Sequence, residues 1–79
     1  MMIARVTKGQ GKPATANIYT EAEFNAINYG APHTLSPGDV RQVGPVYNNV
    51  IYYICVGEDL AETTRLIQEV SPGAITQNL

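Results

Sequence analysis

The chain is expected to fold as a small α+β domain, with two helices packed on one face of a small antiparallel or mixed sheet. Three observations predict this. Val50-Ile51-Tyr52-Tyr53-Ile54-Cys55-Val56 is an unbroken apolar and aromatic run that follows the turn-forming pair Asn48-Asn49. Two helix starts carry the same capping pattern, Thr20 with Glu23 and Asp59 with Glu62. The length, 79 residues, is enough for one core and too short for two, so residues 1–79 are expected to form a single domain.

The elements follow in order. Ile3 and Arg5 alternate with Ala4 and Val6, which predicts a strand over residues 1–8. Gly9-Gln10-Gly11-Lys12-Pro13 is turn chemistry, because glycine accepts positive φ. Ala14 to Tyr19 can return as a second strand, although alanine and asparagine are weak strand formers. Thr20 then caps a short helix, with Tyr19 and Phe24 placed as a hydrophobic staple around the cap. Phe24 and Ile27 form its buried stripe, Gly30 stops it, and Pro32 prevents its resumption.

Ser36-Pro37-Gly38-Asp39 predicts a turn into a hairpin. A two-residue type I′ turn at Asn48-Asn49 sets Tyr47 against Val50. Continued without interruption, that register pairs Pro45 with Tyr52, Val43 with Ile54 and Arg41 with Val56. The opposite face then holds Val46 with Ile51, Gly44 with Tyr53 and Gln42 with Cys55. Gly44-Pro45 predicts a bulge, since proline cannot donate to a ladder, and the register is secure only near the turn. Asp59 caps a second helix whose apolar stripe is Leu60, Thr63, Leu66, Ile67 and Val70. Ser71-Pro72-Gly73 ends it, and residues 74–79 form either a short final strand or a frayed tail. Two orders fit: a ferredoxin-like βαββαβ sandwich, or ββαββα with an N-terminal hairpin. Both leave one sheet face open.

Composition narrows the function classes. The net charge is −2, divided as +3 over residues 1–12 and −5 over the remainder. A basic hairpin on an acidic body is compatible with head-to-tail contact or an anionic ligand. Three bases are also ordinary for a solvated edge. Cys55 is the sole cysteine, which rules out an internal disulfide and suits a reducing compartment. Neither a long apolar leader nor a run of about 20 apolar residues is present, so a cytoplasmic protein is expected, with no membrane partner.

Candidate chemistry is sparse. Gly9-Gln10-Gly11-Lys12 lacks the spacing of a phosphate-binding loop. Cys55 and His33 could in principle form a nucleophile–base pair, but a mid-strand cysteine is ordinarily buried and inert. One His and one Cys do not make a metal site. Among the seven carboxylates Glu23, Asp59 and Glu62 have capping roles, Glu21 favours its helix N-terminus and Asp39 fits a turn; none needs a catalytic explanation, so no catalytic residue, metal or cofactor is expected. Five tyrosines supply large surface with a polar tip, suited to pockets and interfaces. Nucleic acid is not expected as a partner, because the body is acidic and lacks a basic-aromatic signature.

The expectation is a non-enzymatic interaction or regulatory protein. It acts as a homodimer, or docks its open sheet face on another protein through Val46, Ile51, Tyr53 and Cys55. The alternative is a small-molecule-binding protein or minor enzyme with a tyrosine-lined pocket.

Overall fold

The structure is a computed structural model that describes residues 1–27 and 35–78. Its elements are β1 (Met2–Gly9), β2 (Thr15–Thr20), α1 (Glu21–Ile27), β3 (Val40–Tyr47), β4 (Val50–Gly57), α2 (Leu60–Val70) and β5 (Ile75–Asn78). Five strands form one mixed sheet in the order β3-β4-β1-β2-β5. The β1–β2, β1–β4 and β3–β4 pairs are antiparallel, and β5 runs parallel to β2. A strand hairpin precedes α1, so the chain does not follow the ferredoxin-like βαββαβ order. It follows the ββαββα order, with residues 75–78 added as an edge strand.

The helices do not share a face, contrary to expectation. On one side of the sheet, Leu66 and Ile67 of α2 pack on Ala4, Val6, Ala16, Ile18 and Cys55. On the other, Phe24 of α1 packs with Ile3, Tyr19, Ile54 and Val56. Neighbouring strand residues such as Ile3 and Ala4 point to opposite faces, so the two clusters are separated by the sheet itself. The alternation in β1 predicted both faces. What it could not show is that both are apolar because each receives its own helix.

The local signals explain the element boundaries. The Thr20 hydroxyl accepts from the Glu23 amide at 3.1 Å, and the Glu23 carboxylate accepts from the Thr20 amide at 2.9 Å. Tyr19 and Phe24 meet edge to face at 6.3 Å between centroids, completing the staple. Asp59 accepts from the Glu62 amide at 2.8 Å, as expected of an N-cap. Glu62, however, reaches past Asp59 to accept from the Glu58 amide at 2.7 Å. The helix stops, Gly30 and Pro32, lie outside the described residues.

At the far end of α2 the Ser71 amide donates to Ile67, and Gln68 bridges Gly73 and Ala74. Two stripe positions are corrected: Leu60 is 44% exposed and Ile27 is 40% exposed. Both sit at a helix end, beyond the edge of the cluster that covers their neighbours. Gly57 is needed for close approach, since a Cβ there would collide with the hydroxyl and amide of Thr63. The Thr63 hydroxyl sits between the Asp59 and Met2 carbonyls, which ties α2 to the start of β1.

The β3–β4 hairpin follows the predicted turn and departs from the predicted register. Asn48 and Asn49 both have positive φ, 50° and 62°, as a type I′ turn requires. Tyr47 opposes Val50. Between Val43 and Tyr47 the ladder is interrupted, with Gly44 at φ 75°. Gly44, Pro45 and Val46 face only Ile51, so Val43 pairs with Tyr52 instead of Ile54, and Arg41 with Ile54 instead of Val56. Because the slip is two residues, side chains keep their predicted faces. The turn at Ser36–Asp39 closes with an Asp39 amide to Ser36 carbonyl bond of 3.1 Å, and Gly38 at φ 94° gives it type II character.

Candidate functional site

β4 lies inside the sheet, between β3 and β1. Burial along it is graded: Val50 to Tyr53 are half-buried, whereas Ile54 to Gly57 are buried. The reason is the reach of the helices. Both begin at one end of the sheet, where Met2 pairs with Thr20 and Gly57. The cluster under α2 extends from there toward Ala14, Ala16 and Ala74, on the β2–β5 side. At the opposite corner, below the Asn48-Asn49 turn, the described residues that line the surface come from strands and turns and from neither helix.

That corner holds an open cleft of about 310 Å³ lined by Lys8, Gly9, Gln10, Val46, Asn49, Ile51 and Tyr53. Lys8 faces Ile51 across the β1–β4 ladder, and Val6 faces Tyr53. Tyr53 therefore joins the edge of the α2 cluster at one end and lines the cleft at the other. Val46 is 57% exposed beside it because the Gly44-Pro45 bulge lifts it from the ladder.

Of the four residues predicted for interaction, Val46, Ile51 and Tyr53 come together here. Cys55 does not: it has no exposed surface, lying under α2 with Ala4 and Leu66. Burial pushes its thiol up to about 11, so it remains protonated and unreactive near neutral pH. His33, its hypothetical base, lies outside the described residues.

Lys8, Gly9, Gln10 and Asn49 were not foreseen as part of this corner. The strand period of two puts Lys8 on the same face as Val6, and the β1–β4 pairing puts that face beside Ile51 and Tyr53. The other tyrosines of the hairpin are elsewhere. Tyr52 lies on the α1 side, beneath the Arg5 guanidinium at 4.7 Å from its ring centre. Tyr47 is 74% exposed at the turn. The lining therefore combines two aliphatic side chains, Val46 and Ile51, and a single tyrosine with the polar side chains of Lys8, Gln10 and Asn49.

Charge is distributed along the strand direction. Glu21, Glu23, Glu58, Asp59 and Glu62 follow the strand ends that carry Thr20 and Gly57, so they collect where the helices begin. Asp39 joins them, its carbonyl accepting from Val56, and its carboxylate pairs with Arg41 at 3.1 Å. Lys8 and Lys12 flank the β1–β2 turn at the other end. Among the cleft-lining residues Lys8 is the one with a charged side chain. Among the described residues, no group of three or more His, Cys, Asp and Glu side chains is placed to hold a metal ion. None of the described helices is long and apolar enough to cross a membrane. Compared with known proteins, the chain matches no family model, no curated protein and no solved structure.

Proposed function

We propose that this is a non-enzymatic interaction or regulatory protein that docks another protein chain, its own copy or a different one, at the corner beneath the β3–β4 turn. A reducing, cytoplasmic setting accords with the buried free thiol of Cys55. One observation carries the reading: Val46, Ile51 and Tyr53 form the apolar part of a cleft to which no described helix residue contributes. Its volume of about 310 Å³ lies at the lower bound of small-ligand pockets, roughly 300–1,000 Å³, and it is open. Such a cleft suits one projecting side chain of a protein better than an enclosed substrate.

The test places a photo-crosslinking amino acid at position 46 of the intact protein in its native cells. A discrete crosslinked species that disappears when Tyr53→Lys is added supports docking at this corner. No crosslink, with a monomer by sedimentation, overturns it.

The second reading is a small-molecule-binding protein or minor enzyme. Its support is that Lys8 and Tyr53 line the same cleft, which suits a small aromatic anion. Benzoate or indole-acetate perturbing the amide resonances of Lys8 and Ile51 at micromolar concentration would favour it over docking.

A further inference from the structure

We infer that the occupant of the cleft is the acidic end of a second copy of this chain, presented by Glu58, Asp59 and Leu60, so that copies meet head to tail. This rests on the docking reading above and specifies its partner. The cleft suits an apolar side chain accompanied by negative charge: Val46, Ile51 and Tyr53 supply its apolar surface, Gln10 and Asn49 are its neutral polar side chains, Lys8 is its charged one, and no carboxylate among the described residues lines it. Lys12 adds a second positive charge at the same end of the sheet, and residues 1–20 contain no acid.

The opposite end of the same molecule has the matching chemistry. Leu60 opens α2 and is 44% exposed, although its spacing places it on the helix's apolar stripe. It follows directly on Glu58 and Asp59. Asp59 is engaged in capping through the Glu62 amide, and Glu62 accepts from the Glu58 amide. The Glu58 carboxylate has no hydrogen-bond or ion-pair partner among the described residues and stands exposed beside Leu60. Leu60 entering the cleft against Ile51 and Tyr53, with Glu58 against Lys8, satisfies both ends at once.

The two surfaces differ, so the contact is heterologous. It either closes into a ring or continues as an open chain. Contact between partly exposed charges also makes association weaken as salt screens them.

The experiment combines the position-46 crosslinker with charge exchange. Crosslinks from position 46 to the segment containing Glu58 and Leu60 of another copy are expected. Sedimentation should show association that Lys8→Glu or Glu58→Lys weakens about tenfold and that the double variant Lys8→Glu/Glu58→Lys restores. Both positions are exposed, and circular dichroism verifies the fold of each variant. Crosslinks to residues 45–53 of a second copy would indicate a two-fold contact of like patches and overturn the head-to-tail arrangement. Crosslinks to a different protein would overturn it while leaving the docking reading intact. A monomer without crosslinks would overturn both.

Discussion

Asn48 and Asn49 both occupy the left-handed region, which L-residues other than asparagine, aspartate and glycine adopt at a cost. Asn49→Gly removes the remaining strain and is expected to leave stability unchanged or raise it by up to about 1 kcal/mol. Chemical denaturation measures this, and a loss of more than about 1 kcal/mol would contradict a type I′ turn. Cys55 gives the second residue-scale prediction. Burial raises its folded-state pKa from 9.0 to about 11. Below the unfolded value both states keep the proton, so the buried thiol costs no stability there. As pH rises from 9.0 toward about 11, the unfolded chain ionises first and stability falls. A thiol reagent should reach Cys55 only through opened states, far more slowly than in the unfolded chain, whereas Cys55→Ser should flatten the alkaline loss.

At the scale of elements, each helix depends on its first turn. Isolated helices as short as α1 are unstable in water, so capping and packing together hold it. Thr20→Ala and Asp59→Ala are each expected to cost about 1 kcal/mol, read as a lower denaturation midpoint. Glu62→Ala should cost less than Asp59→Ala, because Glu62 serves the Glu58 amide outside the helix and leaves the N-cap bond intact. Glu23 has a pH signature of its own. Hydrogen bonds from the backbone amide and then the hydroxyl of Thr20 lower its pKa below 4.5. Its contribution is complete above that value and is lost as pH falls through the lowered folded pKa. Glu23→Gln should therefore reduce the acid dependence of helix content measured by circular dichroism.

For the whole molecule, a sheet covered by one helix on each side has two cores that share a backbone. Phe24 supports one and Ile67 the other. Ile67→Ala should cost about 2–5 kcal/mol and Phe24→Ala about 3–5 kcal/mol by loss of buried surface and cavity formation. Because both clusters hang on β1 and β4, unfolding in either variant should remain a single transition when followed by tyrosine fluorescence and circular dichroism. Separate transitions would show the two faces to be independent.

Local chemistry in the sequence determined the N-caps of both helices, the Asn48-Asn49 turn, the bulge at Gly44-Pro45, and the face assigned to each hairpin side chain. These depend on interactions within a few residues, where spacing alone decides which donor meets which acceptor. The grouping of Val46, Ile51 and Tyr53 on one face was legible for the same reason. Tertiary structure decided the rest. Two short helices with apolar stripes can cover one face or two, and only the direction in which each connection leaves β2 and β4 chooses between them. That choice buried Cys55 beneath α2 and closed most of the face expected to be open. It also brought Lys8, distant in sequence, to Ile51 through a strand pairing that no local pattern encodes. The cleft exists because α2 extends toward β2 and β5, leaving the β3 side of that face, where Val40 and Gln42 are also exposed, without a described helix.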